Sequence, residues 1–498
     1  MLLKRFCGAL FFSAVSLYAF AQASAPIDID AHAASTPFPH FWEKAFGSGR
    51  AILSLRESYR SDVRELKKVA DFQYVRFHAI FHDEVGVYDE DEKGQAVYNF
   101  SYVDQIYDGL LANGVRPFVE ISFMPKKLAL GQDVHPFWYK QIVSPPKDYV
   151  KWDGLIRAFG EHLVERYGID EVSQWYFEVW NEPNIDFWTG EPKQATYFEL
   201  YDHTVRTLKE VNPKLRVGGP SSAAADWVTP FLDHVTKENI PIDFVSTHGY
   251  ADDTVENLFH TKEEIPLQQR VCRAIGKVHG EIKASAKPNL PLMWTEWNVP
   301  SFGDEYKARD TTYVGAALAD DIRQCDGLVD ILSYWTFDDV FEENGVVRQP
   351  FYGGFGTIAA GGIKKPSFYA YALLHKLGEE RLANDANILV TRRKGGTLVI
   401  AMWNAVDPDK KGAPETVTLR FKNMGSGTDA TIHRVDATHG NVLTEYQAMG
   451  NPRYPTQKQI GALNHASELG PPEKTKLQHG EIRIEVPVNG LVVMEVGN

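Results

Sequence analysis

Short runs of β-branched and aromatic residues recur along the first three quarters of the chain, at 51–55, 74–80, 116–123, 175–183, 216–222, 243–250, 290–297 and 331–337. Between them lie segments whose apolar residues repeat at helical spacing, such as 59–72, 152–167, 194–211, 267–286 and 309–325. The last run leads into 366–378, a helix opened by proline and closed by glycine. This beat of strand and helix predicts an α/β chain with a (β/α)8 barrel, a TIM barrel, over residues 38–380. A doubly wound sheet is the runner-up, but no glycine-rich phosphate loop follows the first run.

Beyond residue 380 the period changes to two. Runs at 387–390, 397–404, 416–421, 431–435, 481–486 and 491–496 alternate, with Gly and Asn turns between them. They predict a C-terminal antiparallel β-sandwich over 381–498, interrupted by a long polar loop at 450–480. Residues 26–37 are candidates to join it, with 26–31 as an edge strand. The first residues read differently. Lys4 and Arg5 precede an apolar run, 6–21, and Ala21-Gln22-Ala23 has the small-x-small form of a cleavage site. Residues 1–23 are therefore expected to be a cleaved signal peptide rather than a membrane anchor, which makes the protein exported, either periplasmic or secreted.

Composition narrows the partner. The 498 residues carry a formal net charge of −14, with no basic stretch to meet nucleic acid or an anionic membrane. Aromatics make up 12%, and rings with acids suit a carbohydrate ligand. After loss of the leader only Cys272 and Cys325 remain, too few for a disulfide scaffold. Each sits in a helical pattern; buried free thiols are the expectation, with one bridge between neighbouring helices as the alternative.

Barrels of this kind keep their chemistry at the C-terminal ends of the strands. The fourth run ends Trp175-Tyr-Phe-Glu-Val-Trp-Asn181-Glu182-Pro183-Asn184, and the seventh ends Met293-Trp-Thr-Glu296-Trp-Asn298. Two strand-end glutamates among tryptophans fit glycoside cleavage, which needs one acid for the departing oxygen and one carboxylate for the cationic sugar carbon. Aromatic surroundings raise the pKa of the acid, and hydrogen-bond donors keep the other group ionised.

These motifs resemble glycoside hydrolase family 39, in the clan of retaining barrels, and its β-xylosidase branch in particular. The likeness extends to Val75-Arg-Phe-His78, Asp83-Glu-Val-Gly-Val-Tyr88, Tyr334-Trp-Thr-Phe-Asp-Asp-Val-Phe-Glu-Glu343 and Phe351-Tyr-Gly-Gly-Phe-Gly356. The resemblance implies an exo-acting β-xylosidase in which Glu182 is the general acid/base and Glu296 the nucleophile. It further implies that Asn181 bonds the sugar 2-hydroxyl and that Tyr250 donates to the nucleophile. His78 and His248 are then sugar-hydroxyl ligands, and Trp335 is the floor under the ring. Glu342 and Glu343 are candidates for the distal hydroxyls, and Phe137 and Trp138 for the pocket wall. Glu178 is expected to face the other side of its strand as a structural residue.

No cofactor or metal is expected. His135, His248, His260 and His279 are scattered, and the acidic run Asp83, Glu84, Asp89, Glu90, Asp91 and Glu92 lacks the glycine-punctuated form of a calcium loop, so a solvated face is expected. The partner is an oligosaccharide or glycoside. No Lys or Arg closely follows strands six to eight, which favours a neutral pentose over the carboxylated sugar of the α-L-iduronidases in the same family. The alternatives are an iduronidase-like or α-L-arabinofuranosidase activity, or a non-catalytic oligosaccharide-binding barrel. The last of these would lack one glutamate of the pair, and both are present.

Overall fold

The computed structural model describes residues 25–303, 305–383, 387–422 and 424–497; the leader expected at 1–23 lies outside them. Eight parallel strands close into a barrel in chain order: β1 (Ala45–Gly47), β2 (Tyr74–Phe77), β3 (Arg116–Ile121), β4 (Tyr176–Val179), β5 (Arg216–Ser222), β6 (Phe244–His248), β7 (Leu292–Trp297) and β8 (Ile331–Tyr334). A helix follows each strand, from Glu57–Lys67 after β1 to Pro366–Leu374 after β8. Two of these helices, Ser101–Ala112 and Val228–Lys237, complete the pattern.

The first strand differs from expectation. Residues Ala51–Leu55 form a 3-10 helix, and β1 lies earlier, at Ala45–Gly47. Three residues are too few to display alternation, and the strand ends on glycine for a spatial reason. A Cβ on Gly47 would sit 2.0 Å from Cε3 of Trp335.

Inward-facing residues stack in layers, as the two-residue period of a strand requires. At the bottom, Ala45, Tyr74, Phe118, Phe244, Met293 and Ile331 close the barrel with Tyr176 packed among them. One step up each strand the filling becomes charged, with Arg76, Glu120 and Glu178 all buried. Glu178 therefore points into the barrel, not to its outer face as expected. It lies four residues before Glu182, and even spacing keeps the side of the strand. The top layer carries His78, His248 and Glu296. In β7 the register shifts between Trp294 and Trp297, a bulge that turns both Thr295 and Glu296 inward, where a regular strand would turn one.

The C-terminal part is two sheets. Seven antiparallel strands run in the order Ser35–Pro37, Glu380–Leu382, Leu389–Arg392, Leu398–Trp403, Leu491–Val496, Asp429–Val435, Glu473–Lys476. The second sheet pairs Ile27–Asp30 in parallel with Glu415–Lys422, which is antiparallel to Glu481–Val486. Ile29, Leu419, Phe421 and Ile484 meet Leu398, Ile400, Met402 and Met494 between the sheets. The alternate residues of the large sheet, Val399, Ala401, Trp403, Leu491 and Val493, belong to the barrel's own core. Trp403 donates to Asp320 of helix Tyr313–Cys325 at 3.2 Å. Both faces of the central strands of that sheet are buried, one in the sandwich core and the other in the barrel's core, so the sheet is a layer that the two parts share.

Two further expectations are corrected. Cys272 and Cys325 form a disulfide, with Cα atoms 5.1 Å apart, joining helices Leu267–Ala284 and Tyr313–Cys325. The segment 450–480 is not a featureless loop. Helix Gln457–Ser467 begins there with a capping box between Thr456 and Gln459, and it buries Leu463 against Phe351, Ile363, Val442 and Tyr446. An insertion of the sandwich thus packs on the loop after β8. The acids after β2 are drawn into ion pairs: Glu84 with Arg50, Asp89 with Lys127, and Glu90 with Lys147 and Lys151. Among the described residues no helix is long and apolar enough to cross a membrane.

Candidate active site

At the centre of the barrel mouth lies the guanidinium of Arg76, 0% exposed, and four carboxylate or amide groups converge on it. It donates to Glu178 at 2.5 Å, Glu296 at 2.6 Å and Asn181 Oδ1 at 3.0 Å, and pairs with Glu120 at 2.8 Å. Burial alone would disfavour the cation, but these carboxylates outweigh it and raise its pKa. Arg76 stands two residues before His78 in the Val75–His78 motif, and nothing in the motif itself assigns it a role. The one signal it leaves in the sequence is its place on the inward face of β2.

Glu296 is held from two sides. Arg76 Nη1 takes one oxygen, and the Tyr250 hydroxyl donates to the other at 2.7 Å. Burial beside that carboxylate pushes the Tyr250 pKa well up, so the phenol keeps its proton. The two donors bind one oxygen each and so fix the orientation of the carboxylate.

Glu182 has the opposite surroundings. Desolvation raises its pKa to about 7. Its backbone is left-handed, with φ of 44°, and its N–H donates to Ser221 O at 2.8 Å, which holds the turn after β4. His248 Nδ1 lies 3.0 Å from Glu182 Oε1, while Arg76 Nη2 approaches His248 Nε2 at 3.4 Å. An arginine can only donate, so the assigned tautomer carries its proton on Nδ1, facing Glu182. Burial drives the His248 pKa down to about 4, and the ring is neutral. One oxygen of Glu182, one of Glu296 and a nitrogen of His248 all lie within 4.8 Å of one another.

His78 Nδ1 bonds Glu120 at 2.7 Å, and its Nε2 faces Glu343 at 3.7 Å. Burial works against the charge on this ring, but Glu120 more than reverses it and lifts the pKa to about 9. Burial likewise raises Glu343 to about 8. The Trp335 ring is 4.8 Å from His78 and only 2% exposed. Its carbonyl accepts from Asn298 of the seventh-strand motif.

Three of the expected ligands fall differently. Glu342 is turned away, because Arg50 at 3.0 Å and Arg56 at 2.6 Å take its oxygens. Phe137 packs on Phe187 at 5.4 Å, and it is Phe187 whose ring comes within 6.4 Å of His78. Trp138, 59% exposed, stands at the rim, with its backbone N–H donating to the backbone oxygen of Glu343. The structure also brings three arginines to the side of the mouth formed after β7 and β8: Arg309, Arg348 and Arg453. None of them closely follows a strand end in sequence: Arg309 and Arg348 lie well inside their loops, and Arg453 arrives from the sandwich insertion.

Among the described residues, three groups of His and carboxylate atoms lie close enough to hold a cation: His78, Glu120 and Glu296; Glu182, His248 and Glu296; and His40, Glu43 and His375. The first two share Glu296 with the Arg76 guanidinium, whose charge opposes a second cation there. In the third, both histidines bond Glu43, whose pKa those bonds lower against the effect of burial.

A (β/α)8 barrel with one desolvated and one cation-paired glutamate at the ends of β4 and β7 defines a glycoside hydrolase. Comparison with known proteins narrows the class. Residues 25–478 match the model of glycosyl hydrolases family 39, and the chain belongs to that family. It is 36% identical over 471 residues to a β-xylosidase of Geobacillus stearothermophilus, which covers 92% of this chain and 93% of that protein. It is also 36% identical over 455 residues to a β-xylosidase of Caldicellulosiruptor saccharolyticus, covering 88% and 90%. A crystal structure of a monomeric β-xylosidase from Caulobacter crescentus superposes with a TM-score of 0.84 at 34% identity, covering 95% of this chain and 99% of that one.

Proposed function

We propose that the protein is an exo-acting retaining β-xylosidase that releases xylose from xylo-oligosaccharides, with Glu296 as nucleophile and Glu182 as general acid/base. The observation that carries the mechanism is the spacing, with an oxygen of each glutamate within 4.8 Å of one of the other. Retaining enzymes keep the two carboxyls roughly 5–5.5 Å apart, too close for a water to stand between nucleophile and sugar. The first step is then attack by the Glu296 carboxylate on the anomeric carbon as Glu182 gives its proton to the departing oxygen. In the second, Glu182 takes a proton from water, which displaces Glu296 from the face the leaving group vacated. Arg76 and Tyr250 hold the Glu296 carboxylate in place for attack and bond it again when the ester breaks. With its Oδ1 on Arg76, Asn181 turns its amide nitrogen to the substrate side, where it donates to the 2-hydroxyl. The charged His78 and the protonated Glu343 offer donors to the other hydroxyls over Trp335. The β-xylosidase names of the full-length relatives support xylose as the sugar. Export is part of the proposal, supported by the leader pattern and by a disulfide suited to an oxidising compartment.

The experiment is proton NMR of a β-xyloside during its first turnovers. Two inversions release β-xylose first, with the α-anomer growing only by mutarotation, and added methanol is captured as methyl β-xyloside. Initial release of α-xylose would mean an inverting enzyme and would remove the nucleophile role from Glu296.

A further inference from the structure

Beside the catalytic centre lies a second cavity, of about 520 Å³. Its wall on the catalytic side is aromatic. Phe341 packs edge-on against Trp335 with centroids 6.1 Å apart, and Phe355 lies 6.5 Å from Tyr250, the donor to Glu296. Arg309, Arg348, Arg453 and Tyr352 contribute to the rest of the lining, and among the described residues no carboxylate lines it. In a chain of net charge −14, three guanidinium groups around one hollow run against the general field.

The arginines are also unequally committed. Arg309 is fastened by Nε to Val299 O at 3.0 Å and by Nη2 to Asp252 at 3.3 Å, with its guanidinium 4.3 Å over the Phe355 ring. Arg453 donates through Nε to the backbone oxygen of Arg348 at 3.2 Å, which brings the two residues together. Among the described residues neither Arg348 nor Arg453 has a carboxylate partner. Structural arginines in this protein usually do, as Arg50, Arg76, Arg116 and Arg381 illustrate. Their forked donors fit a carboxylate in two parallel bonds.

Aromatic rings separate these groups from Glu296. A carboxylate reaching them therefore does not belong to the sugar over Trp335 but to the part of the substrate beyond it. We infer that this cavity is a subsite for an anionic substituent on the leaving portion of the substrate, of the uronate class, so that the enzyme prefers acidic over neutral xylo-oligosaccharides. This inference rests on the xylosidase reading and adds the class of aglycone.

The test compares kcat/KM for two substrates: xylobiose, and an oligosaccharide in which terminal xylose is linked to a xylose bearing a glucuronate branch. The native enzyme should favour the acidic substrate, and the preference should shrink as sodium chloride is raised. The double variant R348A R453A changes two exposed side chains, and it should lower the acidic-to-neutral ratio by about tenfold. A ratio unchanged by the double variant, or unaffected by salt in the native enzyme, would overturn the anionic subsite while leaving the xylosidase reading in place. Cleavage of a glucuronide head group in place of xylose would instead move the carboxylate to the scissile sugar and overturn both. Release of no xylose from either substrate would do the same.

Discussion

Glu182 and Glu296 are the same residue type, a few ångströms apart, in different surroundings. Glu182 is desolvated and has a neutral histidine as its hydrogen-bond partner, with the charges of His78 and Arg76 offsetting only part of the burial; Glu296 bonds a guanidinium and a phenol. The raised value of about 7 for Glu182 predicts the alkaline limb of activity. The acid must be protonated to serve a poor leaving group, so kcat/KM on xylobiose should fall as pH rises through about 7. A nitrophenyl xyloside departs without a proton in the first step, and its profile should fall less over the same range. Identical alkaline limbs for the two substrates would take the acid role from Glu182. At this scale the two glutamates, Asn181, His248 and Tyr250 are legible in the sequence, because motif and strand end coincide. Arg76 and Glu120 are not, since a buried charge in mid-strand acquires meaning only from the groups that three other strands bring to it.

Elements tell a second story, in which sequence distance conceals contact. Cys272 and Cys325 are separated by 53 positions and meet because adjacent barrel helices lie side by side. Closing a loop of that length should stabilise the fold by about 2–4 kcal/mol, through fewer conformations of the unfolded chain. The variant C272S C325S should lose that amount in urea titrations, and an unchanged midpoint would show that the link constrains nothing the fold needs. Strands β2 to β8 and most of their helices announce themselves by period. β1 does not, because a three-residue strand ending at glycine carries no alternation. Helix Gln457–Ser467 hides in a polar stretch although Thr456-x-x-Gln459 is a capping signature, because only Leu463 and Ser467 of its residues are buried and its hydrophobic face is thin.

At the scale of the whole molecule the sandwich is a structural part of the barrel. Its large sheet turns Val399, Ala401 and Trp403 toward the helices after β7 and β8, and its insertion carries Arg453 to the mouth of the site. Trp403→Ala should cost about 3–5 kcal/mol, the usual range for a fully packed aromatic. If sandwich and barrel are one interior, urea should unfold that variant in a single earlier transition by both fluorescence and circular dichroism. An early transition confined to part of the signal would mean that the two halves are stabilised separately.

The sequence by itself determined the barrel, the sandwich, the family and the strand ends where chemistry gathers, because periodicity and short motifs are local and survive in one dimension. Tertiary structure alone decided three further matters. The first is the charged layer around Arg76, whose members come from β2, β3, β4 and β7. The second is the withdrawal of Glu342, which becomes a structural anion once Arg50 and Arg56 fold over it. The third is the arginine-lined cavity, whose walls come from the loops after β7 and β8 and from the sandwich insertion. In each case the governing energy is an ion pair or a desolvation. Those terms depend on distance and burial in space, which the spacing of residues along a chain does not contain.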